Sequence, residues 1–321
     1  MANTNIYQIT IPTPFAVGDV HVYLLKGDTL SLIDAGTKTK QAWEALTDGL
    51  KRIGYYPEDI EQLILTHHHP DHTGLTEEFP RLKAIYGHAL NDVWLKREEA
   101  YFKRYEQFFY DLYLESGVPE AYHAFLQTLR APLRFAGKGA LTDSLKEGDL
   151  LPGHQEYRVL ETPGHAQSHL SFFQEESGAF IGGDHLLSHI SSNPLLEPPA
   201  IPGMARPKPL LQYRDALSRC RELDIHTVYP GHGKIFSGAV PLIDKRIQKQ
   251  EQRAERVKEI LDDGEKTAFQ VCERLFPNHI EKEFGLTMSE TIGQLDYLEA
   301  CGHIQRMNIN GLSKFKLEMS E

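Results

Sequence analysis

Residues 66–72 read Thr-His-His-His-Pro-Asp-His, and no other stretch limits so sharply what this chain can fold into. The run places the imidazoles of His67, His69 and His72 and the carboxylate of Asp71 within six residues. Neither an apolar core nor a solvated face requires that combination, whereas two neighbouring divalent cations do. His67 and His69 can converge on one ion. Asp71 and His72 can then reach a second ion about 3.5–4 Å away, the spacing of two-metal hydrolytic sites. Imidazole and carboxylate ligands suit zinc, with iron or manganese as alternatives. Leu63-Ile64-Leu65-Thr66 reads as the buried strand that delivers the run, and Pro70 fits the loop after it. His68, between two ligands, is expected to point away from the ions.

Two ions need more than four ligands, and the rest of the chain offers three. Thr162-Pro163-Gly164-His165 follows the apolar run Tyr157-Arg158-Val159-Leu160 and ends in a histidine on a tight turn. Ala179-Phe180-Ile181-Gly182-Gly183-Asp184 is a short apolar strand ending in an acid, and Val228-Tyr229-Pro230-Gly231-His232 is again a strand, a turn and a histidine. Each polar group sits just past a strand, where a rigid scaffold can aim it.

Over roughly residues 6–240 this pattern resembles the metallo-β-lactamase superfamily, in particular its glyoxalase II-like branch. The resemblance implies an α/β fold, a four-layer αββα sandwich with the site at one edge of the sheets. It assigns His67, His69 and His165 to a first metal and Asp71, His72 and His232 to a second, with Asp184 bridging both: two zinc ions per chain. Asp34, ending a strand near the site in that fold, is expected to support the metal loops without binding metal. His169, four residues after His165, is expected either to orient a ligand loop or simply to pack. Departures inside the superfamily narrow the chemistry. True β-lactamases of this fold carry a cysteine, or lack the bridging acid, where this chain has Asp184, so penicillin hydrolysis is disfavoured. Diiron flavoproteins of the superfamily carry glutamate where this chain has His69.

At 321 residues the chain is long enough for two domains, and 40% hydrophobic and 25% charged residues suit a soluble globular protein. No stretch approaches the ~20 apolar residues of a membrane span. The N-terminus lacks the basic and apolar segments of a secretory signal. Three scattered cysteines make no disulfide framework, so a reducing cytoplasm is the expected setting. A net charge of −11 tells against bulk nucleic-acid binding.

The expected catalytic domain is 1–240, opening with strands Ile6–Ile11, Val20–Leu25 and Leu30–Asp34 and a helix over Gln41–Ile53. A helical insertion at about 89–135 is expected within it. That insertion is rich in aromatics, among them Trp94, Tyr101, Tyr105 and Phe109, and is broken by Gly117-Val118-Pro119. Tyr101, Tyr105 and Phe109 share a helical face. They fit a substrate-lining lid, and equally a packing face or a homodimer contact. A proline-rich loop after Asp184 offers His189 and Asn193 either as hydrogen-bonding groups that hold the loop or as substrate contacts. Residues 241–321 read as a connector helix plus a small winged-helix-like domain, with helices over Thr267–Phe276 and Thr287–Ala300 and a hairpin around Asn310-Gly311. This segment holds 12 Lys/Arg against 15 Asp/Glu, the wrong sign for a groove reader. A chain cut after about Gly264 is expected to keep its metals, since every proposed ligand lies at or before His232.

The function expected from these features is hydrolysis of a small ester, thioester (acyl-CoA, acyl-carrier or hydroxyacylglutathione-like) or lactone. Two ions sharing a water lower its pKa to about 7 or below, and the resulting bridging hydroxide attacks, with Asp71 and Asp184 fixing it as the catalytic carboxylates. A metal-dependent endoribonuclease or phosphodiesterase is the alternative. A mononuclear iron sulfur dioxygenase-like protein is the second, and it would leave idle a second site whose ligands are all in place.

Overall fold

The computed structural model describes residues 5–318. Its strands and helices, in chain order, are β1 (Ile6–Ile11), β2 (Val20–Lys26), β3 (Leu30–Ile33), α1 (Lys40–Arg52), β4 (Gln62–Ile64), α2 (Pro70–Thr73), β5 (Ala84–Gly87), α3 (Asn91–Leu95), α4 (Glu99–Glu115), β6 (Asp143–Ser144), β7 (Leu150–Leu151), β8 (His154–Glu161), β9 (Leu170–Gln174), β10 (Ala179–Gly183), α5 (Pro209–Arg221), β11 (Thr227–Pro230), α6 (Ala239–Leu261), β12 (Lys266–Thr267), α7 (Ala268–Leu275), α8 (Phe284–Ala300), β13 (Ile304–Ile309) and β14 (Leu312–Leu317). The chain divides into two compact units. The first comprises residues up to Glu98, Ala131–Ser192 and Ala216–Ile243; the second comprises Glu99–Arg130, Asn193–Asp215 and the chain from Asp244 onward.

The first unit holds two mixed sheets, ordered β1-β2-β3-β4-β5-β6 and β11-β10-β9-β8-β7. Alternation along the strands sorts side chains between two cores. Tyr23, Leu25, Ile33 and Ile64 join Tyr157, Val159, Phe172 and Ile181 in a core built from residues of both sheets. Val22, Leu24, Leu32 and Leu63 face the other way, onto Ala42, Leu46 and Leu50 of α1. That helix starts where the Thr39 side chain accepts the Ala42 N–H, and it ends with Lys51 and Arg52 in its last turn, a favourable charge for a helix C-terminus. Every residue of β10 is buried, so the second sheet is covered on both faces.

Strand direction then places the loops. β4 runs parallel to β3, so the segments after Ile33 and Ile64 leave one edge of the first sheet together. β8 is antiparallel to β9 and β9 to β10, so β8 and β10 point the same way, and β11 is parallel to β10. The segments carrying His165, Asp184 and His232 therefore leave one edge of the second sheet.

A buried polar chain joins the two sheets elsewhere. The Gln62 amide donates to Ser31 Oγ at 2.7 Å, and Ser31 Oγ meets His154 Nε2 at 2.6 Å. Ser31 Oγ thus accepts from Gln62 and is the side-chain partner of a buried His154 ring. Burial holds His154 down, to about 4 against an ordinary 6.5. An unfolded His154 protonates near pH 6.5 and the folded one only near 4, so its contribution is present above the first value and lost as pH falls toward the second. Urea unfolding between pH 7 and 4 should show the native protein losing up to about 3 kcal/mol more than a His154→Gln variant. Parallel losses in the two proteins would remove His154 as the cause.

The second unit has its own core. Phe109, Leu112, Tyr113 and Val118 of the aromatic segment pack with Leu196, Val257, Phe269, Phe284, Met288 and Leu295. The segment expected as an insertion of the catalytic domain is thus grouped, over Glu99–Arg130, with the C-terminal part of the chain. The reason is apolar burial, since Phe109, Leu112 and Tyr113 of α4 find their partners in that core. Beyond Gly117, which adopts a positive φ of 72°, the expected second helix is a 3-10 run over Glu120–Thr128. The C-terminal elements form a three-stranded sheet ordered β12-β14-β13 beside α7 and α8. α7 begins with a capping box in which Thr267 and Gln270 satisfy each other's backbone N–H groups. Asn310 and Gly311 take positive φ in the two-residue turn between β13 and β14. α8 is buried continuously from Thr287 to Asp296. Its acids are paired within the unit, Asp296 with both guanidinium nitrogens of Arg206 at 2.7 Å and Glu290 with Arg253 at 2.7 Å.

Candidate metal centre

The loops from the two sheets bring five imidazoles and two carboxylates together. His67, in the loop that follows β4, lies with its Nε2 3.0 Å from His69 Nδ1. His69 is the N-cap of the one-turn helix α2, so Asp71 and His72 fall in that helix's first turn. Three groups have donor atoms close enough to share an ion: His67, His69 and His165; His67, His72 and Asp184; Asp71, His72 and His232. Asp184 connects the outer two. Its Oδ2 lies 3.4 Å from His165 Nε2 and 3.4 Å from His232 Nε2, while Oδ1 lies 3.5 Å from His72 Nε2. His232 Nε2 is also 3.3 Å from Asp71 Oδ2.

These separations test whether cations fit. Charge-assisted N–H···O bonds run about 2.7–2.9 Å, shorter than what is seen here. Two ligands sharing one tetrahedral ion at about 2.0–2.1 Å sit about 3.4 Å apart, which is what is seen here. The inward-facing Nε2 atoms of His72 and His232 and Oδ1 of Asp184 are buried and make no hydrogen bond. Gly231 leaves the necessary room, since a Cβ there would stand 2.1 Å from Asp184 Oδ1 and 2.9 Å from His72 Cε1. Five imidazoles and two carboxylates match zinc, iron or manganese.

The rings are aimed from behind. Asp34, held at a positive φ of 62° past the end of β3, takes the Thr66 N–H and hydroxyl at 2.7 and 2.8 Å and meets His72 Nδ1 at 2.8 Å. It supports the loop from outside, as its sequence position implied. His232 donates from Nδ1 to the carbonyl of Asp19 at 2.7 Å. Second partners of this kind fix the tautomer that leaves Nε2 for a cation. His68 does point away: it stacks on Trp94 at 4.1 Å and meets Ser168 Oγ at 2.8 Å.

Electrostatics divide the histidines. Burial first, then neighbouring imidazoles, hold His67 and His69 well below the ordinary histidine value, so both present neutral lone pairs. Burial also opposes charge on His72 and His232, but Asp184 outweighs it, helped by Asp34 at His72 and by Asp71 at both. His72 is held well above its ordinary value and His232 rises to about 10. A cation at the cluster competes with those protons.

The other expected contacts divide between the units. His189 is exposed in the first unit with its ring against Gly233, where a Cβ would stand 2.4 Å from His189 Nδ1, so it lies beside the His232 loop. Asn193, Tyr101, Tyr105 and Phe109 belong to the second unit. There Phe109 is core, Tyr105 packs against it, and Tyr101 is buried. A helical stripe of aromatics carries no information on which core it fills, so spacing could not decide this. His21 stands in no sequence motif. It is buried, with Nε2 2.5 Å from the Gly233 carbonyl and Nδ1 3.1 Å from Thr10 Oγ1, and it ties β2 to the His232 loop.

Known proteins resemble this chain in sequence and fold. The family profile described as the metallo-beta-lactamase superfamily matches residues 16–232. The chain is 46% identical to "Probable metallo-hydrolase YqjP" of Bacillus subtilis (strain 168), over 94% of each protein. It is 26% identical, over 70% of its length and 68% of the other's, to a hydroxyacylglutathione hydrolase of Chelativorans sp. (strain BNC1). Among solved structures it superposes with TM-score 0.80 and 27% identity on the metallo-beta-lactamase family protein TTHA1429 from Thermus thermophilus, covering 98% of this chain and 99% of that one.

Proposed function

The chain belongs to the metallo-beta-lactamase superfamily, and on that premise we propose that it is a dinuclear metallo-hydrolase of a small ester, thioester or lactone. His67, His69 and His165 would hold one ion, Asp71, His72 and His232 the other, and Asp184 both. One observation carries this reading: the two oxygens of a single carboxylate, Asp184, face imidazoles of both clusters at 3.4–3.5 Å. Divalent ions bound there supply Lewis acidity for a substrate oxygen and lower the pKa of water.

The residues supply the rest. Asp34 and the Asp19 carbonyl fix the rings of His72 and His232. Burial works against charge on Asp71, but His72 and His232 outweigh it and keep the carboxyl below its usual range, so Oδ2 is an ionised acceptor for a proton of the attacking water. His189, exposed beside Gly233, is the substrate contact we assign in the first unit.

The thioester class and a place in the glyoxalase II-like branch both draw support from the similarity to a hydroxyacylglutathione hydrolase. We read the β12-β14-β13 sheet with α7 and α8 as a winged-helix module. Burial of α8 from Thr287 to Asp296 leaves only its ends free to meet a nucleic-acid groove, which favours a small-molecule substrate over RNA. No helix among the described residues is long and apolar enough to cross a membrane. The three cysteines are free, in keeping with the reducing cytoplasm we assign.

Metal analysis of purified protein should give about two ions per chain. Zinc- and manganese-loaded enzyme, assayed on thioester, lactone, phosphodiester and RNA substrates, should turn over the first two classes by at least tenfold over the last two. One iron per chain, or RNA cleavage as the dominant activity, would replace this assignment.

A further inference from the structure

Thr162 and His169 bracket the loop that carries His165, and they are joined twice. The Thr162 N–H donates to the His169 carbonyl at 3.0 Å, and Thr162 Oγ1 meets His169 Nδ1 at 2.8 Å. The other ring nitrogen of His169 accepts the backbone N–H of Asp184 at 3.0 Å. Because Nε2 accepts, the ring proton must sit on Nδ1, so His169 donates to Thr162 Oγ1. The Thr162 hydroxyl then donates to Ser171 Oγ at 2.9 Å, and Ser171 donates to the Gly182 carbonyl at 3.3 Å. Every donor in the chain has one consistent acceptor, and the chain ends two residues from where it began.

The circuit therefore grips the Gly182-Gly183-Asp184 turn from both sides. Gly183 sits between with φ of 47°, and a Cβ there would stand 2.8 Å from His169 Nε2. The His169 ring also lies 4.9 Å from that of His67, and the next residue, Leu170, donates its N–H to the Thr66 carbonyl at 2.7 Å. Three ligand-bearing segments thus meet on one buried imidazole.

We infer that the Thr162–His169 pair is the positioning element that sets His165 against Asp184, holding their facing atoms at the 3.4 Å that two ligands of one ion require. The inference rests on the assignment of Asp184 as the shared ligand. Both side chains act through the ligands and touch no substrate. Thr162→Val keeps the shape of the side chain and removes the hydroxyl that accepts from Nδ1 and fixes the tautomer. Thr162→Ser keeps that hydroxyl.

The test uses the full-length protein titrated with cobalt(II) alone, read by visible absorption and by competition with a chelator. Thr162→Val should bind cobalt about 10-fold more weakly than the native protein, the low end of the cost of losing a direct partner of a ligand because the hydroxyl acts through His169, with altered visible bands. Thr162→Ser should restore both. Should Thr162→Val fail to fold, Ser171→Ala cuts the circuit one bond further out and should weaken binding in the same direction by a smaller factor. Native affinity and bands in a folded Thr162→Val or Ser171→Ala protein, with only a lower melting temperature, would overturn the inference. Asp184→Asn serves as the control. If it too binds cobalt normally, the fault lies with the shared-ligand assignment and not with the clamp alone.

Discussion

Asp184→Asn should bind about one ion per chain in place of two and lose about 10²–10³-fold in turnover at saturating metal. The amide keeps the size of the side chain and one carbonyl oxygen, but it removes the negative charge on which His165, His72 and His232 converge. The imidazoles must then face one another without the anion between them. Burial opposes ionisation of Asp184, yet His232 and His72 overcome it and hold the carboxyl well below its ordinary value. The loss should therefore persist across neutral pH instead of appearing only in acid. Metal analysis by plasma emission, together with initial rates on the best substrate of the panel, measures both effects. Two tightly held ions and near-native turnover would take Asp184 out of the centre.

Cutting the chain after Gly264 should abolish soluble, cooperatively folding protein. This reverses what ligand positions alone suggested. The cut removes Phe269, Phe284, Met288, Ile292 and Leu295, the partners of Phe109, Tyr113, Val118 and Leu196. Loss of one core aromatic costs about 3–5 kcal/mol. Loss of several exceeds the whole net stability of an ordinary domain, about 5–15 kcal/mol. The residues left behind include exposed aromatic rings on α4, a recipe for aggregation. Size-exclusion chromatography and circular dichroism of the truncated chain decide the matter. A soluble monomer with a sharp thermal transition would show that the first unit stands without the second unit's core.

The first unit was more legible in the sequence than the second. Local chemistry marked its candidate ligand segments: three of the four are an apolar run, a glycine or proline turn, and one side chain able to bind metal, as at His165, Asp184 and His232, and the fourth gathers four such side chains over His67–His72. The strands Ile6–Ile11 and Ala179–Gly183 and the hairpin at Asn310-Gly311 could likewise be read from alternation and turn residues. What could not be read depends on contacts between distant positions. Tyr105 and Phe109 show that they face something apolar, not what it is, and only the fold reveals Phe284 and Phe269. His21 and the circuit from His169 to Ser171 are invisible for the same reason. Their partners are backbone groups such as the Gly233 carbonyl and the Asp184 N–H, and a backbone group carries no signature in the sequence.

The second unit is assembled from three separated stretches, two of them lent from the middle of the chain. During synthesis, Phe109 and Tyr113 emerge about 140–150 residues before Ala254, the first member of their core in the C-terminal stretch. At about 5–20 residues per second, that leaves aromatic side chains waiting for roughly ten seconds or more. Such a stretch is a natural client for a holding chaperone. The same interleaving forbids shuffling the C-terminal module like a bead on a string, because the genetic unit that encodes it includes pieces of the metal-binding half.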